Sequence, residues 1–249
     1  MNWNKINVYN LIKPEIAKLK QSGSETASLD CRILLSIIIE KAKPLYSHEN
    51  IYITDSQIKK FKHLVEERAT GKPVSRIINK RSFWKRDFNL NEETLDPRPD
   101  SEVLITSVLK HYPNLLDNLK ILDLGSGSGC LGLSLLEEYQ NALMSFVDIS
   151  KKSLMITKHN AIKLNLQNRC KYYKLDWNFH DWDNYISHNA KDYKFDIIVC
   201  NPPYIPTNEI EFLKKEVKNF DPMLALDGGF DGLSAYKKIF PKIRKFLTK

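Results

Sequence analysis

Apolar residues recur at helical spacing between residue 4 and about residue 70. Val8, Leu11, Ile12, Ile16 and Leu19 form one stripe, and Leu29, Ile33, Leu34, Ile37 and Ile38 form a second. A third helix is delimited more sharply. Thr54 followed by Gln57 is a capping-box signal, Ile58, Phe61, Leu64 and Val65 supply its apolar stripe, and Gly71 with Pro73 ends it. The pattern predicts a small helical bundle over residues 1–73.

Between 74 and 97 the character changes, because Phe83, Trp84 and Phe88 in a short polar-flanked stretch suit a β-hairpin linker. After a helix at 100–112, strands and helices alternate. Strands are predicted at 121–124, 143–148, 170–173 and 195–200, with helices at 130–139 and 151–166 between them and a last helix at 232–247. Alternation of this kind predicts a doubly wound parallel sheet over residues 98–249.

Composition narrows this picture little: 42% hydrophobic and 27% charged residues in a chain of 249 are ordinary for a globular protein. No run of about 18 apolar residues exists, and the N-terminus lacks a signal-peptide layout, so a membrane association is not expected and a cytoplasmic location is. The four cysteines show no paired spacing, so neither a disulfide framework nor a metal site is expected. The charge distribution says more. Residues 1–90 carry 17 Lys and Arg against 9 Asp and Glu, whereas residues 91–249 balance at 21 against 21. A basic N-terminal third favours an acidic or nucleic-acid-bearing partner, although a solvated face is the commoner meaning of such a surface.

Candidate chemistry enters with the first strand of the second region, which runs into Gly125-Ser126-Gly127-Ser128-Gly129 and then a helix. Glycines there permit a tight turn and close approach of backbone to a ligand. A lone glycine loop is a weak signal, and the strand-to-helix placement strengthens it. Asp148 ends the second strand, where a carboxylate can accept hydrogen bonds from ribose hydroxyls; the plainer alternative is a turn or cap before Ser150. The pair points to an adenosyl ligand without separating a dinucleotide from S-adenosylmethionine.

The fourth strand separates them, because Asn201-Pro202-Pro203-Tyr204 follows it at the end where open α/β sheets bind ligands. Consecutive prolines fix φ and remove two donors, which leaves a rigid rim of acceptors. The Asn201 amide oxygen and the Pro202 carbonyl can accept both N–H groups of a planar NH2, with Tyr204 packing on its plane. This suits methylation of an amide, and equally of the exocyclic amine of adenine.

The chain resembles the release-factor glutamine N5-methyltransferases, the HemK or PrmC family. The resemblance is carried by residues 68–74, by Ser82-Phe83-Trp84, Pro97-Arg98-Pro99-Asp100-Ser101-Glu102, residues 122–129, Val147-Asp148-Ile149-Ser150, residues 201–205 and Asp231-Gly232-Leu233. It implies a class I S-adenosylmethionine-dependent methyltransferase domain with a Rossmann-like parallel sheet, and an N-terminal helical domain that docks peptide chain release factors. It further implies S-adenosyl-L-methionine as cofactor and methylation of the glutamine of their Gly-Gly-Gln motif. Cofactor contacts fall to Gly125 through Gly129, Asp148, Trp177 and Asn201, and the glutamine pocket to residues 201–204. Arg98 and Glu102 become possible pocket anchors, with Ser101 where the family has Thr. A monomer is expected, and direct nucleic-acid binding is not, since the chain shows neither an added target-recognition domain nor an aromatic-interleaved basic stretch beyond residues 72–86. Only four of the family's seven strands are identifiable, so strand four is expected to be an edge with uncovered apolar faces. The competing readings are a nucleic-acid amino-methyltransferase and an inactive remnant that still binds a release factor.

Overall fold

The computed structural model describes residues 3–41, 43–179, 181–189 and 194–248, and the chain divides into two compact units, 1–78 and 79–249. The first unit holds α1 (Val8–Gln21), α2 (Ala27–Ile38) and α3 (Asp55–Ala69), with a short α4 (Val74–Ile77). The expected capping box is formed: Gln57 N–H donates to Thr54 Oγ1 at 3.3 Å, and Thr54 N–H donates to Gln57 Oε1 at 2.9 Å. Val8, Ile12, Leu19, Leu34, Leu35, Phe61 and Val65 meet in one core, but the second stripe is corrected: Leu29 and Ile37 are exposed, and α2 turns Cys31, Leu34 and Leu35 inward instead.

The bundle is not purely helical. β1 (Trp3–Asn7) pairs antiparallel with β2 (Asn50–Thr54), in register Trp3 to Thr54 and Lys5 to Tyr52. Ile51 and Ile53 alternate with Tyr52 and turn inward beside Ile6, so β2 has a period of two inside a region otherwise read as helix.

In the second unit β3 (Lys80–Phe83) and β4 (Arg86–Asn89) form the expected hairpin, turning at Trp84 with φ +54°. Its Phe83 and Phe88, edge-on at 6.3 Å, are buried in the core of this unit. The parallel sheet follows: β5 (Lys120–Leu124), β6 (Leu143–Asp148), β7 (Cys170–Lys174) and β8 (Ile197–Cys200), in spatial order β7-β6-β5-β8. Between and around them run α5 (Glu102–His111), α6 (Cys130–Glu138), α7 (Lys151–Lys163) and α8 (Trp182–Asn189), then α9 (Lys215–Lys218), α10 (Met223–Leu226) and α11 (Ser234–Ile243). The chain winds outward from β5 to β7 and returns to β8 on the other side of β5, which creates a crevice at the carboxyl ends of the strands.

β8 is the edge of the four-stranded sheet, as expected, and what is corrected is the expectation that its apolar faces are uncovered. Two residues ahead of β8, Phe195 makes an isolated parallel bridge with Leu247, Phe195 N–H donating to Phe246 O at 2.6 Å and Thr248 N–H to Phe195 O at 2.9 Å. The apolar face is also covered: Ala235 and Ile239 of α11, Phe246, and Trp182 and Ile186 of α8 pack on Leu122, Leu124 and Val147. α11 lies within the helix expected at 232–247, whereas α8 and the bridge at Leu247 were not predicted. No helix among the described residues is long and apolar enough to cross a membrane.

Candidate active site

At the carboxyl ends of the four strands lies a cavity of about 410 Å³. Its floor is the glycine loop, where Gly125 and Ser126 both donate backbone N–H to Val147 O, at 2.8 and 3.0 Å. Gly125 and Gly129 sit at φ +77°, which a side chain would strain. A Cβ on Gly125 would also stand 3.1 Å from the Trp177 ring, so the glycine lets that indole lie against the loop. From α7, Thr157 Oγ1 donates to Gly127 O at 3.0 Å and Asn160 Nδ2 to Ser128 O at 2.9 Å, holding the loop from behind. Neither of these two residues stood out in the sequence, because their partners are backbone atoms about 30 positions away.

Asp148 is buried and lines the cavity. One carboxylate oxygen accepts the Gly127 N–H and the other the Ser150 N–H, both at 2.8 Å, so this side chain makes the turn before α7 and also holds the loop. Burial raises its pKa above the ordinary carboxylate value against the pull of those two N–H groups. Trp177 is half-buried on the cavity wall after β7. The Ser126 hydroxyl is buried with no hydrogen-bond partner among the described residues, as a ligand-binding group waiting for its acceptor or donor would be.

Asp123, on the same wall, is driven by desolvation from an ordinary 3.8 to about 7, with the Gly132 N–H at 3.1 Å lowering it and Asp148 raising it further. Because the folded value lies above the unfolded one, the native state binds more protons. The stability linked to this proton is complete below about pH 4 and is lost as pH rises through about 7. Relative to Asp123→Asn, the wild-type melting temperature is therefore expected to fall as pH rises across that window. Parallel melting curves for the two proteins would refute the shift.

At the fourth strand end, Asn201 and Pro203 line the cavity, Pro202 is buried behind it, and Tyr204 is 55% exposed outside the lining. Asn201 Nδ2 donates to Ser101 Oγ at 3.3 Å, which leaves the amide oxygen as the acceptor. Ile205 N–H donates to Leu226 O and Gly228 N–H to Ile205 O, at 3.1 and 2.8 Å, so the turn after the tetrad is stitched to residues 226–228. A Cβ on Gly228 would meet Tyr204 backbone at 2.8 Å, and one on Gly232 would meet Tyr204 O at 2.5 Å. These glycines are the sequence signal for the support of the tetrad.

The two possible anchors separate. Arg98 lines the cavity and is paired with Asp221, whose carboxylate also accepts the Asp96 N–H at 3.2 Å, so it latches residues 96–98 to the loop before α10. Glu102 is not in the lining. Its carboxylate accepts the Trp84 N–H at 2.7 Å and secures the hairpin turn. Residues 222–238, which close the far wall through Leu224, Asp227 and Lys238, were not read as part of the site.

A cavity shared by all four strand ends of a wound parallel sheet, with an amide acceptor at its mouth, places the chain in the class of Rossmann-like, S-adenosylmethionine-dependent methyltransferases. The catalytic domain of hMettl16, solved in complex with the MAT2A 3′UTR hairpin 6, shares the fold at a TM-score of 0.52 over 87% of this chain and 75% of that one, with 14% identity. Residues 94–220 match the methyltransferase small domain and residues 11–78 the PrmC N-terminal domain. The release factor glutamine methyltransferase of Caulobacter vibrioides is 35% identical over 92% of this chain and 76% of its own length, and that of Agrobacterium fabrum 38% over 93% and 78%. The chain belongs to the release factor glutamine methyltransferase family.

Proposed function

We propose that this protein transfers a methyl group from S-adenosylmethionine to the side-chain nitrogen of a glutamine in a peptide chain release factor. The observation that carries the reading is the fixed amide of Asn201: with its nitrogen engaged by Ser101, its oxygen faces the task of accepting an N–H. Bound S-adenosylmethionine supplies an electrophilic methyl on a positively charged sulfur. Gly125 through Gly129 bring backbone close to it, Asp148 accepts from its ribose, and Trp177 offers a flat face to its adenine. Asn201 Oδ1 and the Pro202 carbonyl hold the two N–H groups of the glutamine amide, and Pro203 and Tyr204 bound the entry.

An amide nitrogen is a weak nucleophile because its lone pair is delocalised, so orientation and acceptors for the charge growing on nitrogen must lower the barrier. The cofactor would supply the methyl group and depart as the neutral thioether, and the nitrogen's N–H proton, held at Asn201 Oδ1, would pass to solvent. No nucleophilic side chain takes part. The exposed position of Tyr204 favours a substrate that reaches in from a protein surface.

Labelled S-adenosylmethionine, the purified chain and a release factor should yield one label per factor, abolished when the glutamine of its Gly-Gly-Gln motif is changed to Ala. Label appearing in nucleic acid, with none in the release factor, would overturn the assignment.

A further inference from the structure

Among the described residues of the first unit, two of the exposed aromatic rings, Trp3 and Tyr52, lie on the β1–β2 ladder, and two more, Tyr9 and Tyr46, lie beyond its end. By register, Trp3, Lys5 and Tyr52 share the outward face of the β1–β2 ribbon, while Ile6, Ile51 and Ile53 turn into the core. Trp3 is 58% exposed and Tyr52 63%. The pairing runs on past the ribbon, with Val8 N–H donating to Glu49 O at 2.9 Å and Tyr9 N–H donating to Ser47 O at 3.0 Å. At that end stand Tyr9, with Lys13 Nζ 5.6 Å from its ring centre, and Tyr46 stacked on His48 at 5.7 Å. Large rings left in water forgo burial that a partner can recover.

We propose that this ribbon is a platform for single-stranded nucleic acid, on which bases stack against Trp3 and Tyr52 while Lys5 and Lys13 meet the phosphates.

Three observations select this ligand over a protein. The outward face carries aromatic, Lys, Asn and Thr side chains and no aliphatic one, so it offers no dry apolar patch of the kind that anchors a protein interface. Trp3 stands opposite Thr54 and Tyr52 opposite Lys5, so the two rings are diagonal neighbours across the ribbon, roughly 7–8 Å apart, which leaves room for a base at each. The unit is also basic, with 13 Lys and Arg against 8 Asp and Glu in residues 1–78. The nearest carboxylates are engaged locally: Glu49 accepts the Tyr46 N–H at 2.7 Å and Asp55 the Asn4 side-chain amide at 2.9 Å. This surface leaves no local signal in the sequence, because folding assembles it from segments more than 30 residues apart.

The test is fluorescence anisotropy of the full chain with a labelled oligouridylate of about 12 nucleotides. A duplex of equal length and a labelled oligoglutamate are titrated in parallel. The oligouridylate should bind best, with affinity falling steadily as salt rises from about 50 to about 200 mM. Losing one stacking ring weakens such binding by roughly 5- to 150-fold, so Trp3→Ala/Tyr52→Ala should weaken it by at least roughly 20-fold. Both rings are exposed, and an unchanged melting temperature verifies that the variant is folded. No binding at low salt, binding indifferent to the double substitution, or oligoglutamate binding with the same dependence on the rings would each overturn the proposal.

Discussion

Replacing Asn201 with Ala is expected to lower kcat for glutamine methylation by about 10²- to 10³-fold while leaving S-adenosylmethionine affinity within about threefold. The size follows from what the residue is asked to do. Positive charge develops on an amide nitrogen as it gives up its delocalised lone pair, and a preorganised acceptor stabilises that charge more than it stabilises the resting amide. Preorganisation is visible in the 3.3 Å hydrogen bond from Asn201 Nδ2 to Ser101 Oγ, which ties the side chain to residue 101. Ser101→Ala should therefore reduce kcat by about tenfold or less, and Ser101→Thr, which keeps the hydroxyl, should restore it. Single-turnover kinetics at saturating cofactor separate this loss from weakened binding. Wild-type kcat in Asn201→Ala would remove the residue from the proposed role.

The parts of this site that were legible in the sequence are those whose signal is local. The glycine loop, Asp148 and the 201–204 tetrad each sit at the end of an apolar strand, and the sheet brings all three strand ends to one cavity. What was not legible depends on partners distant in the chain. Thr157 and Asn160 read as ordinary helix residues until their bonds to Gly127 O and Ser128 O are seen. Glu102 lies one residue from Ser101 in sequence, yet the start of α5 turns its carboxylate to the Trp84 N–H and away from the cavity. Ribbon β1–β2 was lost for a related reason: Trp3–Asn7 is too short to show a period against the helical stripe that follows it, and its partner lies 43 residues beyond Asn7, at Asn50. The cover over β8 comes from two amphipathic helices and from residues 246–248, whose pairing no local pattern encodes.

Arg68→Ala is expected to destabilise the first unit by about 3–5 kcal/mol, the range for removing one partner of a buried ion pair. Arg68 Nε lies 2.7 Å from Asp30 Oδ2, and the two side chains are 6% and 7% exposed. Asp30 also accepts from Ser24 Oγ at 3.0 Å and from Thr26 Oγ1 at 2.9 Å, and Arg68 donates onward to Lys72 O and Ser24 Oγ, both at 3.4 Å. The pair thus joins the start of α2 to the end of α3. Truncating the arginine leaves the buried Asp30 carboxylate without its cation, beside the Ser24 and Thr26 hydroxyls, whereas removing both charges spares that penalty. The double change Arg68→Met/Asp30→Leu should accordingly lie within about 1–2 kcal/mol of wild type in urea unfolding, far from the sum of the single changes. Simple additivity in that cycle would mean that the two side chains are not coupled in the folded protein. A cost below about 1 kcal/mol for Arg68→Ala would mean that water reaches Asp30 and that the α2–α3 corner is looser than its burial implies.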